Sequence, residues 1–181
     1  MEDSFLCNSE ASFSSCGFYR WSLKRKLSNK ENTIIFIGLN PSKASEKRND
    51  PTLRRLINFA FSWGYGSLTV INLFAKVSSS SLFLRRCSDP VGSKNDQVIL
   101  SYAFVWSQNP SCDLWLGWGN QGAWRNRNLE VMAFLKASAI NRAGLFPTAL
   151  GPLALGLTRK SHPLHPLYIS RRESLRTFDL I

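Results

Sequence analysis

The chain has 181 residues, of which 44% are hydrophobic and 19% are charged, and these values are ordinary for a single globular domain. They give no sign of a membrane-spanning helix, because the uncharged stretch at 143–157 contains two prolines and is shorter than the about 20 apolar residues that such a helix needs. The formal net charge of +11 makes nucleic acid the first candidate partner and leaves a merely basic surface as the alternative.

The first elements are predicted from local patterns. Residues 1–15 are rich in serine and have no hydrophobic period, so we predict a flexible N-terminal tail. The following GFYRWSLKRKL alternates apolar and basic side chains, which is typical of a strand at the edge of a sheet. The run TIIFIGL at 33–39 has the continuous apolar pattern of a strand buried on both faces. A helix is predicted from Pro51, since Asp50 or Asn49 can cap it and apolar residues then recur every three or four positions.

The second half of the chain repeats this alternation of strand and helix. Further strands are predicted at 67–74, 112–118 and 153–157, and further helices at 93–107, with a Ser93–Asp96 capping box, and at 124–136. This order favours a three-layer α/β fold: a four-stranded, mainly parallel sheet with helices on both faces and an N-terminal edge strand. We therefore predict one domain over residues 16–170 and a C-terminal tail at 171–181.

Four loops follow the predicted parallel strands, and such loops share one edge of a sheet, where ligands usually bind. Their sequences are NPSKASEKR, FAKVS, GNQGAWRNR and TRKSHPLHPLY. Their basic side chains are candidates for contact with a nucleic-acid backbone: Lys43, Arg48, Arg125, Arg127, Arg159 and Lys160. The predicted ligand-binding edge is therefore also the positively charged edge.

Two asparagines end predicted strands at this edge. The amide of Asn40, in GLNPS, can bind the edge of a base or hold a water molecule, or it can simply form an Asn-Pro turn. The amide of Asn72, in VINLF, costs about 1–3 kcal/mol if it is buried without a partner. It therefore predicts either a ligand contact or a bond to a neighbouring loop backbone. Neither amide can act as a strong base.

The segment GWGNQGAW packs three glycines and two tryptophans into eight residues. Its glycines allow close approach of the backbone and a helix start suited to an anion, although the spacing is not that of a triphosphate-binding loop. Trp118 and Trp124 can either stack on bases or pack in the core.

Both histidines, His162 and His165, lie in SHPLHPLY, and each is followed by proline. Two histidines are too few ligands for a metal site. The stiffened loop predicts either a structural, hydrogen-bonded pair or one imidazole that stabilises negative charge on a carbonyl oxygen or a departing base.

The cysteines lie far apart, at Cys7, Cys16, Cys87 and Cys112, without the spacing of a metal or iron-sulfur site. We therefore expect reduced thiols, no metal and no cofactor. The N-terminus carries Glu2 and Asp3 rather than the basic and apolar residues of a signal peptide, so we expect a cytoplasmic protein.

Six motifs occur in the order of a known bacterial family: GLNPSKA, DPTLRR, SWGYGSLTVINLF, DPVG, GWGNQGA and GLTRKSHPLHPLY. Over roughly residues 18–168 the chain closely resembles domain-of-unknown-function family sixteen-forty-three. That resemblance implies no established activity.

More distantly, the chain resembles the uracil-DNA glycosylase-like superfamily. The shared features are a first motif of G-x-[DN]-P type, an asparagine that ends the second strand, a third strand containing WLGWG and a late histidine-proline loop. The resemblance implies that Asn40 holds the attacking water, that Asn72 reads the edge of the base, and that His162 or His165 stabilises the leaving base. Asn40 stands where the most active members carry aspartate.

The same resemblance implies a base flipped out of DNA, no cofactor, and Leu164 or Leu167 as the wedge that fills the vacated stack. The implied substrate-binding neighbours are Gly38, Pro41, Ser42, Gly119, Asn120 and Tyr168. We therefore expect a nucleobase-recognising protein that acts on DNA by base excision or modified-base processing. The alternatives are a non-catalytic nucleic-acid-binding module and an enzyme that acts on a free nucleotide or a small metabolite.

Overall fold

The computed structural model describes residues 9–42, 49–170 and 173–180, with only the backbone described at Ser81 and Tyr168. The strands are β1 Ser9–Phe13, β2 Arg20–Lys26, β3 Thr33–Gly38, β4 Ser67–Asn72, β5 Cys112–Leu116, β6 Leu153–Ala154 and β7 Arg176–Thr177. The α-helices are α1 Pro51–Ser62, α2 Ser81–Arg85, α3 Asn95–Gln108 and α4 Arg127–Leu145. Segments of 3₁₀ type lie at Asn120–Asn126 and Pro166–Tyr168.

The described strands form one sheet in the order β1-β2-β4-β3-β5-β6-β7. Strand β3 pairs in parallel with β4 and β5, and β5 pairs in parallel with β6. The pairs β1–β2, β2–β4 and β6–β7 are antiparallel. The α/β class is therefore confirmed, but the prediction of a four-stranded, mainly parallel sheet of uracil-DNA glycosylase-like type is wrong. The sheet is seven-stranded and mixed, because antiparallel strands extend it at both ends.

The N-terminal part of the sheet shows why the pattern was insufficient. Strand β2 is not an edge strand, since β1 pairs along it and closes a hairpin through a turn at Gly17, which has a φ of 72°. Strand β1 is SEASF, a largely polar sequence with no hydrophobic period, and it lies in the segment for which we predicted a tail. Glu10 of β1 and Lys24 of β2 lie opposite each other and form an ion pair of 3.5 Å across the two strands.

A similar change occurs at the other end of the sheet. Strand β7 lies in the predicted C-terminal tail and pairs with β6, while Phe178 beside it is buried. A strand of two residues leaves no period for sequence reasoning to detect. Residues 1–8, 171–172 and 181 of the two predicted tails lie outside the described residues.

The core has two layers, one on each face of the sheet. Along β3, Ile34 and Phe36 pack with residues of α1, whereas Ile35 and Ile37 pack with residues of α3 and α4. This alternation follows from the side-chain period of two in a strand, and it explains why the whole run is apolar.

The helix starts follow the sequence in one case and depart from it in another. Asp50 caps α1, because its Oδ1 accepts the N–H of Leu53 at 2.7 Å and Pro51 takes the first helical position, as predicted. The predicted capping box before α3 does not form, since Asp96 pairs with Arg127. No helix within the described ranges is long and apolar enough to cross a membrane.

Candidate functional site

A cleft of about 560 Å³ lies at the carboxyl ends of β3, β4 and β5 and beside the segment that follows β6. All four loops that we expected to meet contribute to it. Its described lining side chains are uncharged: four serines, two threonines, two asparagines, a glutamine and a histidine supply its polar groups beside a few apolar residues. The cleft can therefore recognise a ligand mainly through neutral hydrogen bonds.

A smaller cavity of about 30 Å³ adjoins the cleft and is called the inner cavity below. The residues that line both spaces are Leu39, Asn40, Ser42, Thr52 and His165. The inner cavity adds Asn72 and the charged side chains of Arg20 and Asp50. Its volume suits about one water molecule, so only a small group at the end of a ligand can reach into it.

Asn40 links two of the loops. Its Nδ2 donates to the backbone oxygens of Pro41, at 2.9 Å, and of Ser78, at 2.8 Å. The amide nitrogen therefore builds the turn, which was one of the two alternatives for this residue. The amide oxygen accepts no hydrogen bond from the described residues, and Asn40 lines both spaces, so the oxygen is free to hold a water molecule or a ligand.

Asn72 is only 3% exposed, and its Nδ2 has no hydrogen-bond partner in the described part of the chain. Its side chain therefore makes no bond to a neighbouring loop, which was the structural alternative. Gly38 is its partner in the parallel ladder, and a Cβ at Gly38 would lie 3.1 Å from Asn72 Oδ1 and 2.8 Å from Phe36 Cε1. The glycine makes room for the amide at the inner cavity.

His165 has a defined tautomer. Its Nδ1 accepts the N–H of Leu167 at 3.3 Å, so the proton of the neutral imidazole is on Nε2. Burial lowers the pKa of His165 below its ordinary value of 6.5, which keeps the ring neutral at pH 7. The neutral ring of His165 lines the same inner cavity as Asn40 and Asn72.

His162 lies elsewhere. It lines a separate cavity of about 670 Å³ together with Lys160, Asn128 and Arg176, and we call this space the second cavity. The structure thus groups His165, and not His162, with the two asparagines. The sequence left this choice open.

Arg55 holds the segment after His165. Its guanidinium donates to the backbone oxygens of Pro166, at 3.4 Å, and of Ile169. Sequence reasoning missed this residue, although it lies in the DPTLRR motif, because an arginine on a helix usually predicts a solvated face.

Arg20 was also missed. It is 4% exposed and lines the inner cavity, and burial lowers its pKa to about 10 while the charge of Asp50 opposes that shift. Asp50 accepts from Ser42 Oγ. The one available signal was the position of Arg20 beside a buried tryptophan in a strand.

Four of the other predicted substrate-binding residues line the inner cavity or the cleft. Ser42 and Gly38 line the inner cavity, and Gly119 and Asn120 line the cleft. Pro41 contributes a backbone oxygen to the turn of Asn40. Nothing is described for the Tyr168 side chain.

The predicted backbone-contacting residues also divide. Arg125, Arg159 and Lys160 are exposed, and Lys43 and Arg48 lie outside the described residues. Arg127 is 2% exposed and forms ion pairs with Asp96 and with Glu130, so in this structure it cannot contact a nucleic-acid backbone.

The two tryptophans of the third loop differ. Trp118 is 1% exposed, and a Cβ at Gly122 would lie 2.2 Å from its Cδ1, so it packs in the core and cannot stack on a base. Trp124 is half-buried between Phe74 and the guanidinium of Arg125. Of the two wedge candidates, Leu164 lines the cleft.

Within the described ranges, no group of three or more His, Cys, Asp or Glu side chains could hold a metal ion. The family model described as "Protein of unknown function (DUF1643)" matches residues 20–167. No curated protein and no solved structure matches the chain. The comparisons therefore lend no support to the more distant resemblance to uracil-DNA glycosylases.

Proposed function

Since the chain belongs to the DUF1643 family of proteins of unknown function, we propose a function from the cleft itself: it binds a nucleobase and hydrolyses the N-glycosidic bond of that base in DNA. One observation carries the proposal. Asn40, Asn72 and His165 come from three distant parts of the chain and line one inner cavity at the end of the cleft.

The chemistry of the lining supports a base as the ligand. A nucleobase is a planar group whose edge presents alternating hydrogen-bond donors and acceptors, and amide side chains match such edges. The cleft volume of about 560 Å³ lies within the range of small-ligand sites. One polar group at the edge of a base, which is all that the inner cavity admits, can supply the partner that the Asn72 amide lacks.

The proposed reaction uses each of the three side chains differently. Water held by Asn40 Oδ1 attacks C1′ of the sugar, so an O–C1′ bond forms while the C1′–N bond breaks. The departing base takes the bonding electron pair, and the proton of the water passes to solvent. His165 Nε2–H donates to the base oxygen on which negative charge develops, while Asn72 holds the base edge. Because Asn40 is no base, stabilisation of the leaving group supplies most of the acceleration.

Exposed cations in the same loops, Arg125, Arg159 and Lys160, together with the net charge of +11, support DNA as the polymer. A second candidate function is supported by the uncharged lining of the cleft: hydrolysis of a free nucleoside or a similar small metabolite, which needs no contact to phosphate.

The test is base release, measured by chromatography, from oligonucleotides with uracil, hypoxanthine or mismatches and from the corresponding free nucleosides. We expect release from at least one oligonucleotide and a loss of about 10²-fold or more in Asn40→Ala and His165→Asn. Asn58→Ala, at an exposed asparagine on α1, is the matched control and should release base normally.

Each other outcome overturns the proposal in a defined way. Release only from nucleosides transfers the activity to the second candidate. Salt-dependent binding of DNA without release identifies a non-catalytic binding module. Release that persists in both variants removes the assigned roles of Asn40 and His165.

A further inference from the structure

We propose that the second cavity is a binding site for a nucleoside phosphate, distinct from the cleft. A DNA strand as the source of this ligand rests on the proposed function, since a strand whose base enters the cleft would bring a neighbouring nucleotide to the second cavity. The same chemistry is also offered by a free nucleotide. Recognition by this cavity does not depend on base release.

The second cavity has the size and the walls of a small-ligand site. Its volume is about 670 Å³, and it lies between the first turns of α4, strands β6 and β7, and the loop after β6. Its apolar wall includes Met132, Leu157, Pro163 and Phe178. Such a wall fits the planar faces of a nucleoside better than it fits a bare inorganic anion.

Asn128 supplies the polar group inside this wall. It is 5% exposed, it lines the cavity, and its side chain makes no hydrogen bond to the described residues. Since Asn128 has no hydrogen-bond partner among these residues and its amide atoms are not enclosed by protein, the amide is open to the cavity and can bind a ligand there. The donors and acceptors on the edge of a base, or a sugar hydroxyl, provide such partners.

The charged side chains of the cavity favour an anion. Lys160 and Arg176 are exposed on its lining, with His162 beside them, and Asp179 is the one carboxylate among the described lining residues. Glu173 approaches Arg176 at 3.9 Å, which is a loose contact that a phosphate can replace. A cationic rim over an apolar wall matches a nucleoside that carries a phosphate.

One turn separates the two spaces. Thr158 lines the cleft, whereas Lys160 and His162, a few residues later, line the second cavity. Thr158 Oγ1 accepts the N–H groups of both Lys160 and His162, each at 3.2 Å, and its own N–H donates to the His162 oxygen at 2.8 Å. These three bonds hold the turn at residues 158–162 in one conformation, and we call this turn the ridge. A DNA strand that crosses the ridge would place one nucleotide in the cleft and the next in the second cavity.

The test is calorimetric titration of the intact protein with thymidine 5′-monophosphate, thymidine, inorganic phosphate and the dinucleotide pTpT. We expect the monophosphate to bind more tightly than thymidine or phosphate alone. Lys160→Ala should weaken its binding by about tenfold, as should Arg176→Ala, whereas Lys136→Ala, at an exposed lysine of α4, should not. Asn128→Asp, which keeps the shape and adds negative charge, should weaken it further.

Equal affinity for the monophosphate and thymidine, or unchanged affinity in Lys160→Ala, overturns the proposal. Equal affinity for inorganic phosphate overturns the role of the apolar wall. Tighter binding of pTpT assigns the site to a strand, and equal binding assigns it to a free nucleotide. A protein that binds the monophosphate through Lys160 but releases no base upholds this site while refuting the proposed reaction.

Discussion

Replacing Asn72 with leucine should make the protein more stable and at the same time abolish base release. Leucine has the same branching as asparagine but no polar atoms. Because Asn72 Nδ2 is buried without a partner, the native side chain costs about 1–3 kcal/mol, and the substitution should raise the free energy of unfolding by that amount. For a chain of this size, Tm should rise by about 2–4 °C for each kcal/mol.

Asn95 provides the matched control. It is also fully buried near the end of β4, but its Nδ2 donates to the backbone oxygens of Asn72, at 3.0 Å, and Leu73, at 2.9 Å. In Asn95→Leu the backbone oxygens of Asn72 and Leu73 each lose a hydrogen bond, although the unpaired Oδ1 of Asn95 is also removed. The free energy of unfolding should therefore fall by about 1–3 kcal/mol. Urea and thermal unfolding of both variants should therefore give changes of opposite sign.

A fall in the free energy of unfolding of more than about 1 kcal/mol in Asn72→Leu, which is the cost of a lost satisfied hydrogen bond, would contradict this prediction. That result would make Asn72 a structural residue. Unchanged base release in the stabilised variant would remove it from ligand recognition as well.

Three further predictions concern the pH dependence of stability, the segment after His165, and the close packing of one turn. The free energy of unfolding should fall as pH drops below about 6.5, because burial lowers the His165 pKa and the unfolded chain therefore takes up the proton first. Urea unfolding at several pH values should show that this free energy depends less steeply on pH in His165→Asn than in the native protein. An equal dependence on pH in both proteins would contradict this. Arg55→Met should lower Tm by a few degrees and slow base release, since it loses two hydrogen bonds to the backbone behind His165; a lower Tm with a normal rate would argue against a positioning role. Gly66→Ala places a Cβ 1.8 Å from the Lys30 oxygen and should cost about 1–3 kcal/mol or more, whereas Gly144→Ala meets nothing within 4 Å and should be neutral or stabilising by up to about 1 kcal/mol; similar denaturation midpoints would refute the contrast.

The interior of the fold could be predicted because its signals are local. The run at 33–38 is apolar at successive positions, the run at 67–72 is rich in aliphatic and β-branched residues, and both became central strands with buried side chains on each face. Asp50 and Pro51 fixed the start of α1 for the same reason. The sheet order and its antiparallel ends were beyond reach, since a polar strand such as β1 is stabilised by its partner and not by its own pattern.

The sequence predicted which loops meet at the candidate site, but not how their side chains are oriented there. Asn40 and Asn72 could be found because polar amides at the ends of buried strands are costly without a role. The choice between the histidines depends on the path of the loop: His162 lies in the turn closed by Thr158 and lines the second cavity, whereas His165 lies beyond that turn and lines the inner cavity. The buried Arg20 escaped detection because composition treats every arginine as a surface charge.

The ridge built on Thr158 has a thermodynamic consequence. Ligands in the cleft and in the second cavity would contact opposite sides of one short turn, so both binding equilibria depend on the conformation of that turn. If occupancy of one space shifts the turn and changes affinity in the other by some factor, occupancy of the second must change the first by the same factor. A ligand that stiffens the turn from either side lowers the ordering cost for its neighbour, and paired titrations would measure this cooperativity as one number.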